Sequence, residues 1–153
     1  MSTIVVKEKD IPVGTAVRFL GKPCQVCRSQ IDGKDIFFDN SDSLYEFLDK
    51  NPGSKGCRFL SVNFIDRRDN AVKVMEVFYH YIDGEETWNS LIDVGRYKLS
   101  TGKNPGGKDG LDFIFYRDGD KPRWKAASPS PLTTEEIELI KKGMTDLSTL
   151  YKV

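Results

Sequence analysis

Cys24 and Cys27 stand in "CQVC", the spacing of redox and zinc sites, and with Cys57 and His80 they offer four ligands of the kind that hold zinc. The separations among the four match no zinc ribbon or finger. On a strand, Cys24 and Cys27 project to opposite faces, since they are an odd number of residues apart. Both are read as small half-buried hydrophobes, and no metal is expected. His80, in "VFYHYID", is the single histidine, so any Ser-His-Asp or Cys-His catalysis would run through it. Strand alternation places it on one face with Val72, Val74, Glu76 and Phe78, the position of a structural histidine. Asp112, Asp118 and Asp120 lie near Lys121 and Lys125, the acid-and-lysine mixture of a metal-dependent nuclease. Asp118 and Asp120 belong to a "DGDK" turn, which accounts for them without catalysis, and a nuclease ranks behind the binding functions below.

"GKNPGGKD", residues 102–109, keeps the spacing of a phosphate-cradling loop. Such a loop works through backbone N–H groups, a lysine and a hydroxyl that ligates Mg²⁺, at a helix N-terminus. Here Asp109 replaces the hydroxyl, Pro105 removes a backbone donor, and "LDFIFYR" after the loop reads as a strand. No nucleotide cofactor is expected, and the loop is read as a mobile basic connection.

The charges sum to zero over 153 residues, 30% of which are charged, so no global field points to a partner. Locally they segregate. Arg96 to Lys125 carries Arg96, Lys98, Lys103, Lys108, Arg117, Lys121, Arg123 and Lys125 against four acids, with Tyr116 and Trp124 interleaved. Cations along a backbone and aromatic faces for bases are what a single-stranded nucleic-acid binder needs. These ten residues are the expected contact surface, although no RRM, KH or cold-shock signature accompanies them. The alternative is that Phe113 and Phe115 fill a core beneath the C-terminal helix, leaving Tyr116 and Trp124 outside. From Gln30 to Lys50 the balance reverses, with Asp32, Asp35, Asp39, Asp42, Glu46 and Asp49 against two lysines. This segment, or a sheet edge, would serve a protein-interaction module, an inhibitor or adaptor of another macromolecule. Both readings describe a non-catalytic binding protein.

The elements that must position these residues are mostly strands. "TIVVK", "TAVRFL", "CQVCRS" and "DIFF" are separated by "PVG", "GKP" and "IDGKD", the last two of hairpin length. "GCRFLSVNFID" and "AVKVMEVFYHYID" flank "RRDN" and should pair antiparallel near the sheet centre. "LDFIFYR" and "PRWKAA" form a further hairpin, and "RYKLS" resumes the sheet before the glycine loop. A short helix is expected near 42–49, with Ser43 and Glu46 at capping-box spacing. Another is placed near 85–94, stopped by Gly95. A C-terminal helix near 134–150 opens on a Thr133/Glu136 capping box, after a linker at 126–132, and packs on the sheet. The expectation is one α+β domain over 1–153, with a mostly antiparallel sheet of about six to eight strands and no repeat. "MSTIVVKEKD" is neither a secretory nor a spanning segment, and three cysteines suit a reducing compartment. A cytoplasmic protein without a membrane partner is expected.

Overall fold

The computed structural model describes residues 3–81 and 90–151. It is one α+β domain built on a seven-stranded, mostly antiparallel sheet. The strands are β1 (Val5–Lys7), β2 (Ala16–Ile31), β3 (Lys34–Phe38), β4 (Cys57–Asp66), β5 (Ala71–Tyr81), β6 (Leu111–Asp118) and β7 (Lys121–Pro129). They run in the order β1-β5-β4-β2-β6-β7, with β3 paired to the far half of β2. β1 and β5 are parallel; every other pair is antiparallel.

The two hairpins flagged by "IDGKD" and "RRDN" form as expected. Asp32 and Gly33 both take positive φ, 52° and 79°, as a two-residue hairpin turn requires. "GKP" does not turn. β2 continues through it as one long strand, with Gly21 at φ 69° and a register shift between Leu20 and Cys24. A glycine in the left-handed region lets the strand bulge and bend there without reversing.

β4 is buried on both sides, and its alternating residues read the two layers that cover the sheet. Val62 and Phe64 join Phe19, Phe113, Phe115 and Trp124 in the larger core, covered by helix α2 (Ile92–Thr101) through Val94 and Tyr97. Ile65, with Leu20 and Leu132, lies under Ile137 and Ile140 of α3 (Thr134–Gly143). Phe59 meets Tyr151, which follows the short α4 (Leu147–Leu150). Phe113 and Phe115 therefore are core residues, but beneath α2 and not beneath the C-terminal helix.

Three helical expectations change. Helix α1 (Ser41–Lys50) is capped by Asn40, whose Oδ1 accepts from the Ser43 N–H at 2.8 Å, in place of the Ser43/Glu46 box. Of the helix placed at 85–94, residues 85–89 lie outside the described residues; α2 runs on to Thr101, through Gly95 and "RYKLS". Gly102, at φ 71°, is its left-handed stop. An interior glycine weakens a helix by only about 1 kcal/mol, so Gly95 need not end one.

The C-terminal helix breaks into α3 and α4. The Thr133/Glu136 box is formed, but Asn63 on β4 captures the backbone of Thr145, donating to its carbonyl at 3.0 Å and accepting from its N–H at 2.9 Å. That exchange is incompatible with a continuous helical ladder, and Asp146 starts a new turn. The expected linker is shorter too, because β7 extends to Pro129.

Candidate functional site

The ten basic and aromatic positions divide among three places. Arg96 and Lys98 are exposed on α2, Lys103 and Lys108 on the glycine loop, and the other six on the β6–β7 hairpin. The loop precedes Leu111 and the hairpin tip follows Asp118, so they sit at opposite ends of β6. Seven strand steps separate these ends, about 23 Å.

Trp124 is 3% exposed. Its ring stacks edge-on to Phe19 at 5.0 Å, and its indole N–H donates to Glu8 Oε2 at 2.7 Å. A ring packed this way presents no face to a base. Tyr116 is half-buried on the outward face, opposite Arg123 in the β6–β7 register, with the guanidinium 5.9 Å from its ring. Lys125 is exposed opposite Ile114 on the same face, and Lys121 is exposed at the tip. Arg117 lies over Phe115 and donates to the Lys9 carbonyl.

Arg123 is engaged internally. It grips Asp93 with two bonds of 2.9 Å, and the Asp93 carboxylate also accepts the Trp124 N–H at 3.0 Å. The start of α2 thus covers the outer edge of β7. Burial alone would raise the Asp93 pKa, but the Arg123 and Trp124 bonds outweigh it and hold the carboxyl below its ordinary value.

Asp112 is also committed. It receives Nε of the fully buried Arg18 at 3.0 Å and Nε of Arg67 at 3.0 Å, while Arg67 reaches Glu136 on α3. Asp112 stands near the loop end of β6 and Asp118 at its tip, so the three carboxylates of a nuclease do not converge. Glu8 is the buried residue of a single 3-10 turn, Glu8–Asp10. Desolvation pushes its pKa up, against the opposing bonds from Ser90 and Trp124.

The glycine loop, expected as a mobile basic connection, lies against β2 at Gly106 and is bonded within itself. The N–H groups of Gly106, Gly107, Gly110 and Leu111 are all taken by Asn104, Gly107 and Pro105 within the loop. A Cβ on Gly106 would stand 2.5 Å from the Phe19 carbonyl oxygen, so glycine is what lets the loop lie on β2. Donors spent inside the loop are unavailable to a phosphate.

Cys24, Cys27 and Cys57 are free thiols, and Cys27 and Cys57 are buried. Burial pushes the Cys57 thiol pKa up, which disfavours the thiolate that metals and electrophiles need. His80 pairs with Arg58 through its backbone, and its side chain lies outside the described residues.

The acidic segment stays together. Among the described residues β3 pairs with β2 alone, and α1 follows directly, packing Leu44 inward and Phe47 against Phe38 at 5.5 Å. Asp32, Asp35, Asp39, Asp42, Glu46 and Asp49 are all exposed. Among the described residues, Glu46 is the one of the six in an ion pair, with Lys50 at 3.2 Å. Asp42, Glu46 and Asp49 fall at i, i+4 and i+7 on one helix face, and Tyr45, 43% exposed, stands among them. This stripe was readable from spacing alone once the helix was placed. The Asp93–Arg123 pair was not, because two residues thirty positions apart give no local signal for it.

Comparison with protein-family models, with curated proteins and with solved structures finds no match. No helix among the described residues is long and apolar enough to cross a membrane.

Proposed function

We propose that this chain is a cytoplasmic, non-catalytic interaction module, an inhibitor or adaptor that engages a basic protein surface through the β3–α1 unit. The observation that carries this reading is the Asp42–Glu46–Asp49 stripe around the exposed Tyr45. Three carboxylates held at helical spacing on a packed helix present a preorganised negative surface, and an exposed aromatic among them supplies apolar contact area. Among the described residues β3 beside it has no second strand partner and offers an edge for further pairing. Three free cysteines suit the reducing setting.

A second reading, single-stranded nucleic-acid binding, rests on the β6–β7 hairpin, where Tyr116, Arg123 and Lys125 share one outward face with Arg117 and Lys121 at its tip. Arg96, Lys98, Lys103 and Lys108 would then contribute from α2 and the loop. Trp124 has no part in it.

Titration of the full chain with a labelled Lys/Arg-rich peptide and, separately, with a labelled oligothymidylate separates the two. The acidic reading expects peptide binding that weakens steeply between low and physiological salt, with the oligonucleotide unretained. Retention of the oligonucleotide with no peptide binding overturns it in favour of the hairpin.

A further inference from the structure

The bend in β2 leaves a pocket apart from the acidic stripe and the β6–β7 hairpin; of the residues placed above, Lys98 lines it. Residues 21–23 have no ladder partner on β4, because the register shifts between Leu20 and Cys24. Lys22 and Pro23 therefore stand away from the sheet while α2 crosses on the same side and the glycine loop arrives with Asn104 and Pro105. Between them lies a pocket of about 320 Å³. That is room for about ten water-sized groups, at the lower end of small-molecule sites.

Its walls are apolar, with Phe19 and Val62 from the sheet, Leu91 at the N-cap of α2 and Val94 within it. Among the described residues two charged side chains line it, Lys22 and Lys98, and both are exposed, so their ammonium groups can reach solvent at the rim. Among the same residues no carboxylate lines it. An apolar cavity edged by ammonium groups complements a molecule with a hydrocarbon body and one anionic end. A neutral hydrocarbon would leave the lysines unused, and a cationic amphiphile would be repelled by them.

Gly95 also lines the pocket, and a Cβ built on it meets nothing within 4 Å. On the exposed face of a helix, that absent side chain leaves the space open. The loop that failed as a phosphate cradle has a role here: pinned by Gly106, it brings Asn104 and Pro105 over the bend and forms one wall.

We infer that the pocket between α2, the β2 bend and the glycine loop binds a small amphipathic carboxylate, with the hydrocarbon on Phe19, Val62 and Val94 and the carboxylate between Lys22 and Lys98.

Calorimetric titration of the full chain with decanoate, decylamine and decanol tests this. Decanoate should bind one-to-one and at least about tenfold more tightly than decylamine. Lys22→Gln with Lys98→Gln should weaken decanoate by about three- to tenfold, the range for two exposed ion pairs, and leave decanol unchanged. Gly95→Leu, which adds a side chain into the open space and favours the helix, should abolish binding of all three without lowering thermal stability. Decylamine binding as well as decanoate, decanoate affinity unchanged in Gly95→Leu, or no binding of decanoate would each overturn the inference.

Discussion

The acidic β3–α1 unit and the basic stretch from α2 to β7 carry opposite net charge of equal size, yet the fold uses them in opposite ways. In the acidic unit the charges point outward, and three lie on one helix face with a tyrosine between them. In the basic stretch the charges are divided among α2, the loop and the hairpin, and the best-placed arginine is bound to Asp93. The stretch's own acids, Asp93 in α2 and Asp112 in β6, hold the fold together. Charge segregation along a sequence becomes a surface only where the intervening backbone is local, as a hairpin followed at once by a helix is.

This contrast predicts that removing the acids of the basic stretch costs stability, and removing those of the acidic unit costs binding. The largest effect is expected at Asp112. Asp112→Ala leaves the fully buried Arg18 without its carboxylate and should destabilise the fold by about 3–5 kcal/mol in urea unfolding. A loss under about 1 kcal/mol would mean that Asp112 is not structural and return it to the pool of functional acids.

Asp93→Ala comes next, exposing the β7 edge and leaving the Trp124 N–H without its acceptor, for about 1–3 kcal/mol. Its sign with pH is fixed. A carboxyl whose folded pKa is lowered contributes stability that is present above the unfolded value, about 4, and is lost as pH falls through the folded value. Asp93→Asn should therefore flatten the acid limb of the stability profile below about pH 4. Glu8 has the opposite sign. Its raised pKa makes the ionised form a liability, so Glu8→Gln should gain stability relative to the native chain as pH rises above the unfolded value, about 4, and level off above the folded one. A gain confined to acid pH would reverse that assignment. The smallest effect is expected for Lys103→Gln with Lys108→Gln, whose side chains are exposed on the loop: thermal stability should change by no more than about 0.5 kcal/mol.

Much of the fold was legible in residue patterns. The alternation of Leu111, Phe113 and Phe115, the "IDGKD" and "RRDN" turns and the Thr133 capping box are local signals, and each has its expected counterpart. The misreadings came where distant contacts prevailed. Gly21 and Pro23 look like a turn, but β4 pairs with β2 on both sides of them and carries the strand through the bulge. Thr145 looks helical, but Asn63, remote in sequence, takes its backbone. Trp124 looks like a stacking platform among cations because the sequence does not show Glu8 waiting for its indole N–H. Of the candidate site, the acidic stripe follows from spacing on a helix. The dispersal of the basic residues follows from the length of β6, which becomes a physical distance only once β6 is known to be extended between the loop and the hairpin.

The most direct test of the contrast compares two charge-matched variants in titrations with the same Lys/Arg-rich peptide. One is Asp42→Asn, Glu46→Gln and Asp49→Asn on α1; the other is Asp69→Asn, Asp118→Asn and Asp120→Asn, three exposed acids outside the unit. Both lose three negative charges, so a purely global charge effect weakens binding equally. The stripe predicts a loss of about tenfold or more for the α1 variant, with the second variant within about threefold of the native chain. Equal losses in the two would contradict it.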